Sequence, residues 1–493
     1  MRKKIILLLF VLLIVRLPTF IYPIVDEDEG IHAVIAADLV SGNPPYLSNF
    51  GMQFPLIWYQ YAGVFKLFGL YNMRAVHVYT SLVVFLTAIL LWQIGKKLKD
   101  EQAGFYAALF YILFTTASDH KILASNSEIH LLIFECAALY FVLLSKEKER
   151  PFLYWFLAGS CAAGSFLTKQ QGGMILASLP IAYWFSFKTT WRRFFQEGFG
   201  LVIGLASVLS LFVLFAKSQG YFEAMIHLVF VAPFEYIQQG AEKIISLRRT
   251  GTRVSYWVLG TVPLWIAALS CFREIWNPQR RFPLILLLAS FVPISMGGRF
   301  YMHYFLLMLP SLCLLAALSG EKLFRDKRTI ALTLLPISLF FLEHLFMPQV
   351  KERMGIVTPD YAVIGEEIQK ITGPEEKIFV WGWAPEFYLY SKRLPASRFT
   401  ESASLSGRPA GSPDTKEIVE NFRQYIHPKA WEMLKEDFSK TRPAVIVDAA
   451  TPNIHNYKYY PIKNYPYLQS LLDNEYERTE VDGVPIYRLT SPR

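Results

Sequence analysis

Long apolar runs, separated by short polar junctions, occupy the first 346 residues of the chain. A helix needs about 20 predominantly apolar residues to cross a bilayer, so each run is predicted to be a transmembrane helix, about eleven in all. The predicted spans cover residues 5–24, 74–95, 103–118, 129–145, 152–168, 172–187, 198–216, 254–272, 282–297, 302–319 and 329–346. The pattern therefore predicts a polytopic α-helical membrane protein over residues 1–346.

The last part of the chain, residues 347–493, has shorter elements with more polar positions between them. The segments DYAVIGEEIQKI and DTKEIVENFRQYI have the 3.6-residue period of amphipathic helices. KIFVWGW and PAVIVDAA have the composition of buried strands, and VPIYRLT that of a closing strand. A chain of this length can bury one core, so the sequence predicts a small C-terminal α/β domain.

Basic residues follow the predicted spans at every second junction, beginning with Arg2, Lys3 and Lys4 before the first span. Positive junctions face the cytoplasm, which places the N-terminus inside and the C-terminal domain on the other side. The remaining basic junctions contain Lys96, Lys97, Lys99, Lys146, Lys148, Arg150, Lys188, Arg192, Arg193, Arg273, Arg280, Arg281, Lys322, Arg325, Lys327 and Arg328. Residues 25–73 then form a long first outer loop.

Composition agrees with this division. Only 18% of the 493 residues are charged, whereas a typical soluble domain has about a quarter. Residues 1–346 hold 30 Lys and Arg against 20 Asp and Glu, and residues 347–493 hold 19 against 20. The pI near 9.1 thus comes from basic residues at the ends of the predicted transmembrane spans. A nucleic-acid partner is therefore not expected. Cys136, Cys161, Cys271 and Cys313 lie in apolar runs without metal or disulfide spacing.

The first outer loop opens with four consecutive carboxylates, Asp26, Glu27, Asp28 and Glu29. Ionisable groups beside an apolar span are costly to desolvate. The cluster is therefore either a solvated feature that helps set topology, or the place where one carboxylate faces a cavity as a general base. IHAVIAADLV and PLIWYQYAGVFKLFG follow, and both are predicted to be helices at the membrane interface.

A run of motifs on the outer side resembles a known family. D-E-G-x-H-x-x-x-A-x-x-L-x-x-G-x-P-P-Y extends from Asp28 to Tyr46, and FPLIWYQYAGVFKLFG follows it. Further motifs occur in the family's order, namely ASNSEIH, SFLTKQQGG, GGRFYMHYFLLMLP and VWGWAPEFYLYSKRLPASRF. The combination is similar to glycosyltransferases with the GT-C fold that use polyprenyl-phosphate sugars. They include protein mannosyltransferases and lipid A aminoarabinose transferases.

The resemblance implies a GT-C-like fold and a reaction on the non-cytoplasmic face of a membrane, most simply the bacterial inner membrane. A sugar would pass from a polyprenyl-phosphate carrier to a lipid, glycan or protein acceptor, usually with inversion. The competing interpretations are a lipid-linked-sugar transporter, and a polymerase or ligase that uses diphosphate-linked oligosaccharides. A transporter would be expected to show inverted repeats and broken helices, which the sequence lacks.

The resemblance also assigns candidate residues. Asp28 matches the family's catalytic base, with Asp26 as the alternative if the register shifts by two. Glu29 is a candidate to orient the base or bind a divalent metal, which would be the only cofactor. Glu128 matches an acidic position of the second outer loop, and Glu128 and Tyr46 are candidates for sugar or acceptor binding.

A departing phosphate needs positive charge, and cations on the outer side break the positive-inside pattern. Lys169 is the leading candidate, although it could simply extend to the headgroups. Arg299 has a fork suited to phosphate. His303, four residues later, could bind phosphate or a metal, or be structural. Arg248 and Arg249, clustered with Arg253, are further candidates, with loop solvation as the alternative.

One position departs from the family pattern. Aminoarabinose transferases have Glu-Lys-Pro where this chain has Gln53, Phe54 and Pro55. Both charges are missing here, which places that family's metal site in doubt and shifts the predicted phosphate contact to Lys169, Arg299 or the arginine cluster.

Overall fold

A computed structural model describes residues 2–147, 149–187, 189–232, 247–269, 276–319, 327–354, 358–409 and 416–490. The predicted anchors Lys148, Lys188, Arg273, Lys322 and Arg325, together with Cys271 and the end of the span at 254–272, lie outside these residues. Cys136 and Cys313 are buried free thiols, and Cys161 is a half-buried one, as expected for small apolar side chains.

The first 346 residues are helical at each of the predicted spans. Because Pro18 cannot donate a backbone hydrogen bond, the first predicted span is divided at Arg16. The helices are α1 Arg2–Val15, α2 Leu17–Ile21, α3 Glu27–Val40, α4 Leu56–Phe68, α5 Met73–Leu98, α6 Glu101–Phe114, α7 His120–Leu123, α8 Ser127–Ser145, α9 Pro151–Thr168, α10 Met174–Ser186, α11 Trp191–Ser218, α12 Phe222–Ile226, α13 Leu247–Leu269, α14 Pro278–Ser295, α15 Leu309–Ser319 and α16 Lys327–Leu345.

Three of the described helices, α5, α8 and α11, are long and apolar enough to cross a membrane by length and composition. Shorter apolar helices cover Phe222–Val231, Met302–Leu318 and Ile330–Leu345. The predicted count of eleven spans stays a prediction, because several spans contain shorter helices. The two segments predicted at the interface, α3 and α4, are helical as expected.

The predicted C-terminal domain contains a small mixed sheet with helices, in agreement with the predicted α/β character, and its boundary at residue 347 stays a prediction. Its strands are β1 Ile378–Trp381, β2 Val445–Asp448, β3 Tyr476–Val481 and β4 Val484–Leu489, in the order β1-β2-β4-β3. β1 and β2 are parallel, with Ile378 opposite Val445, and the other pairs are antiparallel. The helices are α17 Met347–Arg353, α18 Tyr361–Ile371, α19 Glu386–Ser391, α20 Ala403–Ser406, α21 Lys416–Glu420, α22 Ala430–Lys440 and α23 Pro466–Glu475.

The sheet packs on both faces, and one face joins the first outer loop. Val380 and Val447 belong to the same buried cluster as Ala33 of α3 and Trp58 and Tyr61 of α4. Successive residues in a strand point to opposite faces. Phe379 and Ile446 therefore point the other way, into a second core with Leu434 of α22 and Leu468 of α23. The outer loop and the C-terminal domain thus share one hydrophobic core.

The contact between α3 and the C-terminal domain is close enough to require a glycine. A Cβ atom placed on Gly30 would lie 2.7 Å from Pro385 Cγ, at the start of α19. Glycine at this position allows the amino end of α3 to lie directly under the domain.

Glycines also allow α9 and α11 to pack closely. A Cβ atom on Gly204 would collide with the backbone carbonyl oxygen of Phe156, and one on Gly159 with that of Leu201. A backbone oxygen in a helix cannot rotate away, so the helices would have to separate. Gly198, also on α11, has nothing within 4 Å of its Cβ position.

We expect Gly204→Ala to lower the thermal unfolding temperature of the detergent-purified protein, because overpacking typically costs about 1–3 kcal/mol. Gly198→Ala is the matched control and should leave that temperature unchanged or raise it, since alanine favours helix. Equal effects of the two substitutions would contradict the packing described for α9 and α11.

Candidate functional site

Four carboxylates begin α3, but they face different surroundings. Glu27, Asp28 and Glu29 occupy the first turn, where the positive end of the helix dipole favours negative charge. Asp26 is almost completely buried, accepts a hydrogen bond from Asn126 Nδ2 at 2.7 Å and is in close contact with Lys121 Nζ. The alternative base is therefore enclosed by the protein.

Glu29 points into the protein rather than toward a cleft. It is fully buried, and its carboxylate accepts hydrogen bonds from the backbone N–H groups of Val25 and Ser125, the latter at 2.7 Å. His77 Nε2 lies 3.3 Å from Glu29 Oε2. Burial alone would raise the pKa of Glu29, but these partners lower it below its usual range. This arrangement is suited to holding the start of α3.

Asp28 has the most exposed side chain of the four carboxylates. Its side chain is 35% exposed, and its Oδ2 lies 4.0 Å from Nε2 of His303. The same His303 nitrogen lies 3.7 Å from Oε1 of Glu128. His303 thus lies between the two acids and is itself stacked on the ring of Tyr301.

Lys169 completes this group, which we call the outer cluster: Asp28, Glu128, Lys169 and His303. Lys169 Nζ lies 2.5 Å from Glu128 Oε1 and 4.8 Å from the centre of the Tyr304 ring. Burial lowers the pKa of Lys169, but Glu128 and Tyr304 outweigh this effect and raise it above its usual value. Lys169 therefore carries a positive charge.

Four helical elements bring the outer cluster together, and the first is α3, which carries Asp28 in its first turn. Glu128 is in the first turn of α8, and Lys169 directly follows the last residue of α9. His303 lies in a 3₁₀ turn, Met302–Met308, that precedes α15. Four sequence-predicted candidates from distant parts of the chain are thereby in one place.

Two arginines, Arg253 and Arg299, lie beside the outer cluster. Arg253 Nη1 donates to the carbonyl oxygen of Arg299, and its guanidinium lies 5.2 Å from the centre of the Tyr301 ring. Arg299 Nη1 approaches the Tyr301 hydroxyl at 3.4 Å. Arg248 and Arg249 are one turn earlier on α13, and Arg248 is exposed. Arg253 and Arg299 therefore connect to the site through Tyr301, the ring that stacks on His303.

Tyr46, by contrast, forms its hydrogen bond within the first outer loop and does not face the outer cluster. It is buried, and its hydroxyl donates to the Gln53 carbonyl at 2.7 Å. The Gln53 side chain contacts His32 Nδ1 at 3.2 Å and accepts from Ser127 Oγ at 3.2 Å. The position that is charged in aminoarabinose transferases is thus part of an uncharged hydrogen-bond network here.

A divalent cation would find one suitable group among the described residues. Oxygen atoms of Asp26 and Asp28 and a ring nitrogen of His303 lie within 4.8 Å of one another. Hard cations prefer carboxylate oxygens, and imidazole is a common third ligand. Glu29, the other sequence-predicted ligand, is outside this group.

The C-terminal domain reaches the same carboxylates. His455, in the loop after β2, lies 3.0 Å from Glu27 Oε1 and 3.6 Å from Glu386 Oε1. Burial alone would lower the pKa of His455, but the two acids raise it to about 10. Lys121 lies 3.0 Å from Glu27, so an alternating chain of charges joins the two parts of the protein.

A further carboxyl of the C-terminal domain, Glu401, interacts electrostatically with Asp28. Burial raises the pKa of Glu401 to about 7, and Asp28 adds to this, although the backbone N–H of Ala403 and the charge of Arg408 oppose it. Sequence reasoning missed Glu401, His455 and Lys121. Lys121 could have been found as an outer cation that breaks the positive-inside pattern, but the other two carry no local signal.

The chain is similar to known proteins over its whole length. Residues 53–217 match the family model of dolichyl-phosphate-mannose-protein mannosyltransferases. The crystal structure of ArnT from Cupriavidus metallidurans bound to undecaprenyl phosphate is similar, with 14% identity, a TM-score of 0.68 and 99% of each chain covered. No curated protein sequence matches the chain significantly.

Two further structures share the fold. AglB, the archaeal oligosaccharyltransferase from Archaeoglobus fulgidus in complex with an inhibitory peptide and a dolichol-phosphate, has 12% identity and a TM-score of 0.53, covering 99% of this chain and 74% of its own. Arabinofuranosyltransferase AftD from Mycobacteria has 12% identity and a TM-score of 0.51, covering 100% and 40%. The match to the family model over residues 53–217 and the shared fold confirm the resemblance to glycosyltransferases of this kind, and the chain shares the fold of ArnT, AglB and AftD.

Proposed function

We propose that the protein transfers a sugar from a polyprenyl-phosphate carrier to an acceptor on the non-cytoplasmic face of a membrane, most simply the bacterial inner membrane. The observation that carries this proposal is the outer cluster, which combines an accessible carboxylate with a half-buried, charged lysine. ArnT bound to undecaprenyl phosphate and AglB in complex with a dolichol-phosphate support the choice of carrier.

Asp28 is the proposed general base. Asp28 accepts the proton of the acceptor's nucleophilic hydroxyl or amine group. At the same time the nucleophile forms a bond to the anomeric carbon, and the bond between that carbon and the phosphate oxygen breaks. The polyprenyl phosphate leaves with the bonding electrons, and attack opposite the leaving group inverts the anomeric carbon. Asp28 is preferred over Asp26, because Asp26 is enclosed by Lys121 and Asn126 and cannot meet an acceptor.

Lys169 is the proposed phosphate contact. Its ammonium is paired with Glu128 at 2.5 Å, and this pair keeps a charge at a position where an isolated ammonium would be costly. A phosphate oxygen arriving at Lys169 would compete with Glu128 for the ammonium. Arg299 and the arginines of α13 would provide a second positive region for the same headgroup.

Asp26, Asp28 and His303 could together hold a divalent cation. When bound, such an ion would supply positive charge for the phosphate. The structure of the Archaeoglobus fulgidus oligosaccharyltransferase in complex with Zn and sulfate offers a precedent for a metal in this fold.

We propose that the C-terminal domain covers the outer cluster and contributes to acceptor binding. His455 holds the domain to Glu27 at the start of α3, and Glu401 lies within the electrostatic field of Asp28. An acceptor that reaches Asp28 would therefore pass between α3 and this domain. The residues that line this passage would therefore determine which sugar and which acceptor the protein selects.

Asp28→Asn is expected to reduce transfer from a polyprenyl-phosphate sugar by at least about 100-fold, the usual contribution of a general base. Binding of the carrier should persist, because Asn keeps the size of the side chain. The assay measures transfer and carrier binding by the purified protein in nanodiscs.

Asp119→Asn is the control for this experiment. Asp119 caps α7 at the same membrane face, and Asn caps helices equally well. Full transfer by Asp28→Asn would exclude Asp28 as the base. Carrier binding by the wild type without transfer from any polyprenyl-phosphate sugar would favour the transporter interpretation.

His455 should make the contact between the two parts of the protein dependent on pH. Because its folded pKa is raised from 6.5 to about 10, its stabilising contribution is complete below pH 6.5 and is lost as the pH rises through 10. We expect hydrogen exchange in α3 to increase across this range in the wild type but much less in His455→Gln.

His427→Gln serves as the matched control, since His427 is also in the C-terminal domain and its Nδ1 accepts a backbone hydrogen bond from Lys429. It should retain the wild-type pH dependence. The same increase in α3 exchange with pH in His455→Gln as in the wild type would show that His455 does not hold α3.

A further inference from the structure

A second polar site lies away from the outer cluster, where the turn between α8 and α9 meets the start of α11. Lys146 directly follows α8, and Arg192 and Arg193 are in the first turn of α11. They belong to a cavity of about 430 Å³, which we call the basic cavity. Its polar lining consists of Lys146, Glu149, Thr190, Arg192, Arg193 and Gln196.

The basic cavity and the outer cluster lie at opposite ends of the same two helices. α8 has Glu128 in its first turn and ends beside Lys146, and α9 begins at Pro151 and ends directly before Lys169. The 19 residues of α8 rise about 1.5 Å each and so extend about 28 Å. The hydrocarbon core of a bilayer is about 30 Å thick. The basic cavity therefore lies at the other membrane face, which the basic junctions predict to be cytoplasmic.

Contacts between helix ends hold two of the cations at the basic cavity. Arg193 Nε donates to Glu197 Oε1 at 2.8 Å, and Arg193 Nη2 donates to the carbonyl oxygen of Ser145 at 3.2 Å. Lys146 Nζ lies 3.6 Å from the centre of the Phe187 ring, directly after α10. The ends of α8 and α10 and the start of α11 are thereby joined, and both cations line one cavity.

The charges of the basic cavity do not cancel among the described residues. Glu197 pairs with Arg193, and Glu149 offsets one further cation of the lining. Arg192 is exposed and forms no hydrogen bond or ion pair with any residue that the structure describes. The described residues thus leave one positive charge at the cavity. A phosphodiester carries one negative charge, and the planar fork of arginine suits its oxygens.

The start of α11 also has an aromatic side that is open to its surroundings. Trp191 and Phe195 are 64% and 66% exposed, and the Trp191 ring packs on that of Trp184 with 4.3 Å between centres. Tryptophan is enriched at the headgroup level of membranes. Successive helix residues point about 100° apart, so Arg192 and Arg193 lie on another side of α11 than Trp191 and Phe195. The basic cavity is therefore beside a surface suited to lipid.

We propose that the basic cavity binds the phosphodiester headgroup of an anionic phospholipid in the leaflet opposite the outer cluster. Basic pockets between helices at the cytoplasmic face are suited to such headgroups. Lys146 and Arg192 contact the phosphate oxygens, and the acyl chains lie along the aromatic side of α11. The positive-inside pattern accounts for cations at this face, but not for their convergence on one cavity beside exposed tryptophan. This binding is independent of sugar transfer.

The test is a titration of delipidated protein in neutral detergent, with bound lipid counted by native mass spectrometry. Phosphatidylglycerol, a monoanion, should bind at least about 10-fold more tightly than phosphatidylcholine with the same acyl chains, since each nearby cation contributes to attraction. The double variant Lys146→Gln/Arg192→Gln should bind phosphatidylglycerol at least about 10-fold more weakly than the wild type, because charge-assisted contacts are lost. Its affinity for phosphatidylcholine should not change.

Arg150→Gln is the matched control. Arg150 is an exposed cation in the same junction, and it is outside the cavity lining. This variant should bind phosphatidylglycerol within about two-fold of the wild type, because an exposed charge contributes little by itself. The thermal unfolding temperature without added lipid is measured for each protein. We expect it to be the same in all three, since neither Lys146 nor Arg192 pairs with a described carboxylate.

Three results would overturn the proposal. Equal affinity of the wild type and the double variant for phosphatidylglycerol would show that the basic cavity does not bind it. An equal loss in Arg150→Gln and the double variant would assign the attraction to the charge of the whole face. Displacement of phosphatidylglycerol by excess inorganic phosphate would make the cavity a site for free phosphate, whereas retention supports a lipid. None of these measurements requires transfer, so failure of the proposed function would leave their outcome unaffected.

Discussion

The shared hydrophobic core of the first outer loop and the C-terminal sheet is the constraint on which the rest of the outer face depends. One face of β1 and β2 packs with α3 and α4, and Gly30 lets Pro385 approach the amino end of α3. A long loop between two helices would otherwise have little reason to adopt one conformation. Here apolar burial fixes the direction of α3, and with it the direction of each carboxylate in its first turn.

Charge compensation then assigns those carboxylates different tasks. Asp26 is enclosed by Lys121 and Asn126, Glu27 is paired with Lys121 and His455, and Glu29 is engaged by the backbone and His77. Asp28 is left facing His303 at the edge of the outer cluster. Three of the four adjacent acids thus hold the structure together, and the fourth, Asp28, is the one proposed as the general base.

Sequence reasoning found the helices, the α/β character of the C-terminal domain and all four residues of the outer cluster. Apolar length and motif order are local signals, so Asp28, Glu128, Lys169 and His303 could be selected before their contacts were known. The pairing of Lys169 with Glu128 could not be predicted in this way. The sequence motifs assign Lys169 to phosphate binding and Glu128 to sugar or acceptor binding, and the two residues belong to different helical segments.

Other features had no local signal or a misleading one. β3, with the sequence YERTEV, has an exposed face of charged residues that hides its strand character. The segment DTKEIVENFRQYI, predicted as one helix, begins outside the described residues and is divided into α21 and a 3₁₀ turn, Phe422–Tyr425. His455 and Glu401 reach the site only through the shared core, which depends on contacts far apart in the chain.

The most direct test of the account is the affinity of undecaprenyl phosphate, without a sugar, for the nanodisc-embedded wild type, Lys169→Met and Glu128→Gln. Loss of a hydrogen bond to a charged group costs about 1.5–3 kcal/mol, so Lys169→Met should weaken binding by about 10-fold or more. Glu128→Gln should bind as well as the wild type or more tightly, because phosphate no longer competes with a carboxylate for Lys169. Equal affinity of the wild type and Lys169→Met would contradict the assignment of the outer cluster as the phosphate site.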